Sequence, residues 1–311
     1  ILNVVYGLNR MDSELHHVLL SVDVRGSYKK TSRYLKLTIF GTISYIIVCF
    51  CLDVVLFWEK DFWYSSMLAL AFICPKLITT FVIIQFCFLN AMLKMRFELI
   101  NLKLANVTRT IDTLNCIEGS HICLENVDKR CNSVNPTFPK VFSSWKLVDV
   151  VDGVRRRHYR LCDICSELNS AYSVQILFTS LQVFVTLLAS LFYCIKGVTT
   201  NEELPDILVP YTLNVAFLSL SQIGAVAFVC SRTYCEARKT GSIIHRVVPY
   251  TNDLEVELLY FSIQLLHHNV DFTACRMFKL DESLVLSMVG IICTYLVIVV
   301  QFEFASQDNM K

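Results

Sequence analysis

One stretch of 20 residues without a charge, Ser283–Phe302, limits what this chain can fold into more than any other feature. A helix of this length, at about 1.5 Å per residue, crosses the hydrocarbon core of a bilayer. One narrow sector of this predicted helix carries mostly small or polar residues: Ser287, Gly290, Thr294, Val297, Ile298 and Gln301. This stripe could pack against another helix, because small residues permit close helix packing in lipid, or it could line water. Both interpretations stay open, and the large amide of Gln301 favours water.

The composition agrees with a membrane protein. Hydrophobic residues make up 54% of the chain, charged residues only 18%, and the mean hydropathy is +0.51. This predicts a polytopic membrane protein rather than a soluble domain. A net charge of +1 gives no reason to expect a nucleic acid as partner. Because residue 1 is Ile rather than Met, we expect the native N-terminal part to be missing.

Hydropathy predicts five complete spans, the second of which we expect to be broken at Pro75. Both long polar segments carry apolar residues at helical spacing, so we expect them to be helical and to pack together. The predicted organisation is 1–34, the end of a truncated span and a cytosolic connection; 35–90, two spans with a short external loop; 91–170, a cytosolic helical segment; 171–230, two spans with a short external loop; 231–282, a second cytosolic segment; 283–302, the last span; and 303–311, a short external tail.

The basic residues predict the orientation. On one side of the five spans lie 24 Lys and Arg, and on the other side lie three. Because basic loops stay in the cytosol, the long segments should be cytosolic and the C-terminus extracellular. Two missing spans would put the native N-terminus in the cytosol. We therefore predict a multi-pass plasma-membrane protein in contact with lipid. A G-protein-coupled receptor ends in the cytosol, so no G protein is expected as a partner.

The last span ends with the residues TYLVIVVQF, from Thr294 to Phe302. This resembles the TYhhhhhQF signature near the C-terminus of insect gustatory receptors. The preceding run YFSIQLLHHNVDFTACRMFKLDESL resembles the cytosolic helix and turn that lead into the last span of that family. The resemblance implies an all-α, polytopic membrane helical bundle: an inverted seven-span receptor channel, whose first spans are missing here. It also implies a cytosolic helical anchor domain that holds four subunits together as a homotetramer.

The resemblance further implies a ligand-gated, non-selective cation channel lined by the last span. The span lacks a ring of carboxylates, so monovalent cations and Ca²⁺ should both permeate. The run HHNVDFTA is similar to the fructose-sensing branch, which implies a sugar tastant such as fructose. A bitter-compound or other chemosensory receptor of the same family is the alternative. The predicted pore and gate residues are Thr294, Val297, Ile298, Gln301 and Phe302, the last two forming the constriction.

Two other classes of protein are less well supported. A small-molecule transporter would often show an internal repeat, and the sequence shows none. For an enzyme, no nucleophile–base set or metal-ligand set is visible, so we expect no catalytic residue, metal or cofactor. The single pair Cys162 and Cys165 is weak evidence for zinc. The Arg155–Arg157 run is typical of a solvated or lipid-headgroup face.

Polar and aromatic residues in the outer halves of the other spans predict a ligand pocket. Amides, hydroxyls and aromatic walls suit a small polyol, although hydrogen bonds between helices without any ligand are the alternative. Among ionisable residues in spans, Asp53 and Lys76 differ in depth by about 12 Å, so an ion pair would require Lys76 to extend outward. The predicted ligand-binding residues are Asp53, Trp63, Tyr64, Gln182, Thr186, Ser190, Tyr211 and Asn214.

Overall fold

The structure is a computed structural model. It describes residues 4–8, ten helical residues between 33 and 51, and the ranges 62–125, 137–199, 208–249 and 251–308. Asp53 and most of the first predicted span, 35–58, lie outside these residues. Near several helix ends only the backbone is described, which applies to Trp63 and Tyr64.

Five long helices dominate the described ranges. They are α1 (Phe62–Glu125), α2 (Thr137–Thr199), α3 (Leu208–Ile244), α4 (Asn252–His267) and α5 (Glu282–Asp308). Between α4 and α5 lies a two-stranded antiparallel hairpin, β1 (Thr273–Ala274) and β2 (Phe278–Lys279), in which Thr273 faces Lys279. The described part is therefore helical except for this hairpin and the connecting turns.

The first two helices are longer than a membrane requires. With 64 and 63 residues, α1 and α2 extend about 95 Å each, whereas the hydrocarbon core is about 30 Å thick. Each helix can thus cross the bilayer and continue well beyond it. Four helices of the described part are long and apolar enough to cross a membrane, at Cys74–Asn115, Lys146–Lys196, Val209–Ile244 and Glu282–Phe302.

The chain forms two compact units. Unit one contains Ile1–Leu20, Asn90–Leu168 and Arg232–Asp271, and unit two contains Ser21–Leu89, Asn169–Ser231 and Phe272–Lys311. Helices α1, α2 and α3 therefore pass from one unit to the other within one or two residues of the predicted membrane boundaries at 90, 170 and 230. The hairpin belongs to unit two with α5. Which unit faces the cytosol stays a prediction.

The core of unit one is built from apolar stripes on three helices. Apolar side chains of α1 and α2 are buried, and α4 adds Leu254, Leu258 and Phe261, at the spacing of one helix face. Ile263, on the same helix, is 44% exposed. The innermost side chains of α1 and α2 are Leu93, Phe97, Leu104, Ile111, Leu161 and Leu168.

Buried amides fasten α1 to α3 within unit one. The Asn101 side chain donates to the carbonyl of Glu236 at 2.8 Å and accepts from the Thr240 hydroxyl at 2.6 Å. A further hydrogen bond joins the same two helices: the Thr233 hydroxyl of α3 donates to the Asn90 amide oxygen of α1 at 2.5 Å. Buried polar groups need such partners, because an unpaired one loses its hydration without compensation.

In unit two, α1 continues through Pro75, so the predicted break in this span is wrong. Proline removes one backbone hydrogen bond, but in lipid every other backbone group still has to be paired, which favours a continuous helix. Two hydroxyls add bonds next to the proline: that of Thr79 donates to the Pro75 carbonyl, and that of Thr80 to the Lys76 carbonyl at 2.6 Å.

Candidate functional site

A row of polar side chains on α3 meets α1 and the segment around Tyr45 in unit two. The Lys76 ammonium donates to the Tyr211 hydroxyl at 3.3 Å and lies 5.6 Å from the centre of the Tyr211 ring. The Tyr45 hydroxyl donates to the Asn214 amide oxygen at 2.6 Å. We call Tyr45, Lys76, Tyr211 and Asn214 the polar cluster.

Helical spacing explains why these side chains meet. At about 100° per residue, Tyr211, Asn214 and Gln222 lie within about 80° on one face of α3 and extend over roughly 16 Å. On α1, Lys76 and Thr80 are one turn apart and face this row. The Gln222 amide donates to the Thr80 hydroxyl at 2.9 Å, which extends the contact one level further along both helices.

The polar cluster offers a distinctive combination of groups to a small molecule. It contains an ammonium with three N–H donors, two phenol hydroxyls, an amide and two aromatic faces. Lys76, Tyr211, Asn214 and Tyr45 are all half-buried, so part of each remains accessible. Such a site can donate hydrogen bonds to ligand oxygens while the rings contact apolar ligand atoms.

The other predicted ligand residues are distributed differently. On α2, Gln182 is exposed, Thr186 is half-buried and Ser190 is buried, so the burial of these three side chains increases along the helix. The side chains of Trp63 and Tyr64 and all of Asp53 lie outside the described residues.

Sequence reasoning did not include Lys76 or Tyr45 among the ligand residues. For Lys76 the signal was a charge inside a predicted span. For Tyr45, one of 13 tyrosines, no spacing or motif distinguishes it.

Among the described residues, one face of helix α5 packs against the rest of unit two. Leu284, Met288 and Ile292, four residues apart, are buried, and the Tyr295 ring packs edge-on against Phe184 at 6.4 Å. The centre of the predicted polar stripe lies about 130° away from this buried face. All six stripe residues, from Ser287 to Gln301, are exposed in the single chain, and Phe302 is 72% exposed.

A tight hairpin precedes α5. Its turn is closed by a hydrogen bond from the Met277 amide to the Ala274 carbonyl at 2.9 Å, and the two residues between them, Cys275 and Arg276, have φ of 49° and 59°. Positive φ at both central positions defines the turn that matches strand twist, and it normally favours Asn and Gly. Two residues with Cβ atoms therefore hold this turn at an energetic cost.

Two side chains of α2, one turn apart, hold the hairpin. The Asn169 amide oxygen accepts from the Thr273 backbone N–H at 2.9 Å. The Ser173 hydroxyl accepts from the Cys275 backbone N–H at 2.5 Å and donates to the Thr273 carbonyl at 3.4 Å. We call Asn169 and Ser173 the hairpin clamp.

A buried histidine lies at the centre of unit one. The His158 ring is 1% exposed and packs between Phe97 and Phe261, with ring centres at 5.4 and 5.8 Å. Burial lowers the pKa of His158 from 6.5 to about 4 and raises the pKa of its neighbour Cys162 to about 12. The described residues contain no group of three His, Cys, Asp or Glu that could hold a metal. Cys162 is therefore a buried thiol that stays protonated near neutral pH.

The buried His158 predicts a loss of stability in acid. Its pKa of about 4 lies below the unfolded value of 6.5, so below pH 6.5 the unfolded chain binds a proton that the folded chain does not. The free energy of unfolding should fall between about pH 6.5 and pH 4, by about 3 kcal/mol in total. We expect His158→Leu to flatten the pH dependence of the melting temperature of the purified receptor. Equal pH dependence in both proteins would contradict this assignment.

A shallow groove of about 870 Å³ lies between α2 and α4 in unit one. It is rich in arginine, but acidic partners offset the charge. Arg155 pairs with Glu257 at 2.5 Å, and Arg156 pairs with Asp152 at 2.6 Å. Partial burial is the largest single effect on the pKa of Arg155 and lowers it. The carboxylates of Glu257 and Asp152 together outweigh this effect, so the pKa of Arg155 is raised overall. The groove is therefore close to a neutral, solvated face.

Comparison with known proteins gives consistent results. The family model described as 7tm chemosensory receptor matches residues 8–306. Gustatory receptor 28b of Drosophila melanogaster is 24% identical over 262 residues, covering 79% of this chain and 53% of that protein. The Drosophila melanogaster gustatory receptor for bitter taste 66a is 28% identical over 172 residues, covering 52% of this chain and 32% of that protein. The chain thus spans about half, or less, of these two relatives.

Among solved structures, the insect olfactory receptor OR5 from Machilis hrabei is similar in fold. It matches with a TM-score of 0.62 at 12% identity, over 94% of this chain and 75% of that chain. The same receptor has been solved in complex with eugenol. The predicted all-α membrane helical bundle is confirmed by this likeness and by the family model.

Proposed function

This chain belongs to the 7tm chemosensory receptor family, as the resemblance to insect gustatory receptors predicted, and we propose that it is a ligand-gated, non-selective cation channel opened by a tastant. The observation that carries the proposal is the exposed stripe of α5, whose opposite face is packed. Four copies of this helix around an axis would place the stripe on a shared pore, so we propose a homotetramer. Taken alone, a polar stripe in lipid is costly, and an aqueous pore removes that cost.

The stripe also supports the proposed permeation properties. Ser287, Gly290 and Thr294 are small or hydroxylic, so rings of these residues would be wide and wettable. Val297 and Ile298 follow, and then Gln301 and Phe302 form the proposed constriction. Without a ring of carboxylates in the stripe, selectivity among monovalent cations and Ca²⁺ should be weak.

We place the agonist at the polar cluster of unit two. A sugar such as fructose could bind the amide of Asn214 and the hydroxyl of Tyr211, with its C–H faces on the aromatic rings. A bitter compound is the second candidate, because one relative is named as a receptor for bitter taste. Gln182, Thr186 and Ser190 of α2, with Asp53, Trp63 and Tyr64, remain further candidates for the pocket wall.

The proposed arrangement in the cell follows the basic residues. We propose a plasma-membrane receptor whose unit one, with the buried core around Phe97 and Phe261, is the cytosolic anchor domain. Its C-terminus would be extracellular, and no G protein would be required.

The experiment that tests this function is expression of the full-length receptor alone in cells, with current recorded against a panel of sugars and bitter compounds. We expect a cation current evoked by at least one of them. An epitope tag after Lys311 should be stained on intact cells. Staining only after permeabilisation would contradict the orientation, and the proposed outward-facing pocket with it.

Tyr211 provides a direct prediction for the pocket. Tyr211→Ala removes a ring and a hydroxyl next to Lys76, so the agonist concentration for half-maximal current should rise about tenfold, corresponding to about 1.4 kcal/mol. Ion selectivity should not change. Phe217→Ala on the same helix is the matched control, because Phe217 is 72% exposed. An unchanged dose response for Tyr211→Ala and for Asn214→Ala would place the pocket elsewhere.

A further inference from the structure

Lys76 carries a charge in the part of α1 that is predicted to cross the membrane. It lies 13 residues after Trp63 and 14 residues before Asn90, which is roughly 20 Å of helix from either end. Ionisable groups at such depth are costly and usually face a cavity, an ion or a ligand. Lys76 is half-buried on α1, and its ammonium donates to the Tyr211 hydroxyl of α3.

Among the residues that the structure describes, the partners of Lys76 stabilise its charge, and none of them is a carboxylate. The Tyr211 hydroxyl accepts one hydrogen bond from the ammonium, and the Tyr211 ring lies 5.6 Å from it as a cation–π partner. Both are neutral groups, whereas an ammonium has three N–H donors and a full positive charge. A ligand with an anionic group would therefore gain an attraction that a neutral polyol of the same shape lacks.

We infer that the agonist pocket binds small organic acids more tightly than neutral ligands of the same shape, because Lys76 binds their carboxylate. The inference rests on the proposed function, in which the polar cluster is the agonist site. The carboxylate would lie between the Lys76 ammonium and the Tyr211 hydroxyl, and the remainder of the ligand would contact Asn214 and the rings of Tyr45 and Tyr211. Sugar acids and aryl acids both fit this arrangement, because the Asn214 amide serves hydroxyls and the rings serve apolar atoms.

Two acid–amide pairs test the inference, since each pair differs only in the charged group. The probes are glucuronate with glucuronamide, and phenylacetate with phenylacetamide. Binding of all four to the purified full-length receptor would be measured calorimetrically at low, constant ionic strength, because salt weakens charge-dependent binding. We expect the wild type to bind at least one acid ten times more tightly than its amide.

Two substitutions of Lys76 assign the preference to its charge. Lys76→Arg keeps the charge and should keep the acid preference, whereas Lys76→Met has a similar length without the charge and should bring the acid-to-amide affinity ratio close to one. Equal binding of acids and amides by the wild type, no binding of either acid, or an acid preference that persists in Lys76→Met would each overturn the inference. An ion pair that neutralises Lys76 would produce the first of these results.

The binding measurement also separates this inference from the channel proposal. If acids bind through Lys76 but no tastant evokes current, the channel proposal fails and the inference stands. If sugars or bitter compounds evoke current while acids show no preference that depends on Lys76, the inference fails and the channel proposal stands.

Discussion

Phe302→Ala is expected to produce a channel that conducts without agonist. Phe302 follows Gln301 directly, and at the helical angle it lies about 90° from the centre of the exposed stripe of α5. A rotation of α5 by about 100°, the angle between consecutive residues, would exchange the two side chains at the axis of four such helices. A ring of phenylalanines would exclude water and block ions by dewetting, whereas a ring of amides would let hydrated cations pass.

An agonist would open this gate by binding more tightly to the rotated state. Removing the Phe302 ring takes away the block itself, so basal current should rise at least tenfold without any change in agonist affinity for the pocket. Phe302 is 72% exposed in the single chain, so its substitution removes no core contact and should leave folding unchanged.

Two further variants make the test specific. Gln301→Ala should change the open-channel conductance or ion preference, because Gln301 would line the open pore. Val289→Ala is the matched control: Val289 is 44% exposed on α5, about 130° from the stripe centre, and its loss should leave gating normal. The Phe302→Ala channel could instead reach the surface in normal amounts, pass no current without agonist and open normally with it. That result would show that Phe302 is not the gate and would place the constriction of the pore at Ile298.

The sequence predicted the features that depend on local patterns. The uncharged length of Ser283–Phe302 identifies α5, and the same period that places Gln301 on its stripe leaves Leu284, Met288 and Ile292 for the packed face. The stripes of unit one could be predicted for the same reason, because residues three and four apart on a helix share a face.

The ends of the long helices could not be predicted from hydropathy. Hydropathy indicates where a helix leaves lipid, whereas a helix ends where a residue breaks it. Between Pro75 and Gly119 the sequence has neither glycine nor proline, so α1 has no stop signal at the membrane boundary and continues. The turn of the hairpin was missed for the opposite reason, because Cys275 and Arg276 occupy positions where Asn or Gly would have been the signal.

Contacts between helices that are distant in sequence could not be predicted from the sequence either. Lys76 and Tyr211 are 135 positions apart, and Tyr45 and Asn214 are 169 apart. A period places each residue on a face, but it does not indicate which face of another helix lies opposite. The polar cluster therefore became visible only once the helices were packed, although two of its members had been predicted individually.

The hairpin clamp leads to the second prediction. The chain runs from the hairpin directly into α5, which begins at Glu282, three residues after β2. The Asn169 and Ser173 side chains fix this connection to α2 through the backbone of Thr273 and Cys275. If a rotation of α5 opens the proposed pore, the first turn of α5 would have to be held against the rest of unit two, and these bonds would provide that hold.

The double variant Asn169→Ala/Ser173→Ala should uncouple agonist binding from opening. It removes three hydrogen bonds to the hairpin backbone, each contributing about 0.5–1.5 kcal/mol. The start of α5 would then no longer be fixed to α2, so a change at the pocket would not rotate α5. We expect the maximal agonist-evoked current to fall at least tenfold, while agonist binding to the purified receptor stays within threefold of wild type. The exposed neighbour Ser170 provides the control Ser170→Ala, which should behave as wild type. A double variant with normal maximal current would show that α5 takes its orientation from its packed face, Leu284, Met288 and Ile292, and not from the hairpin.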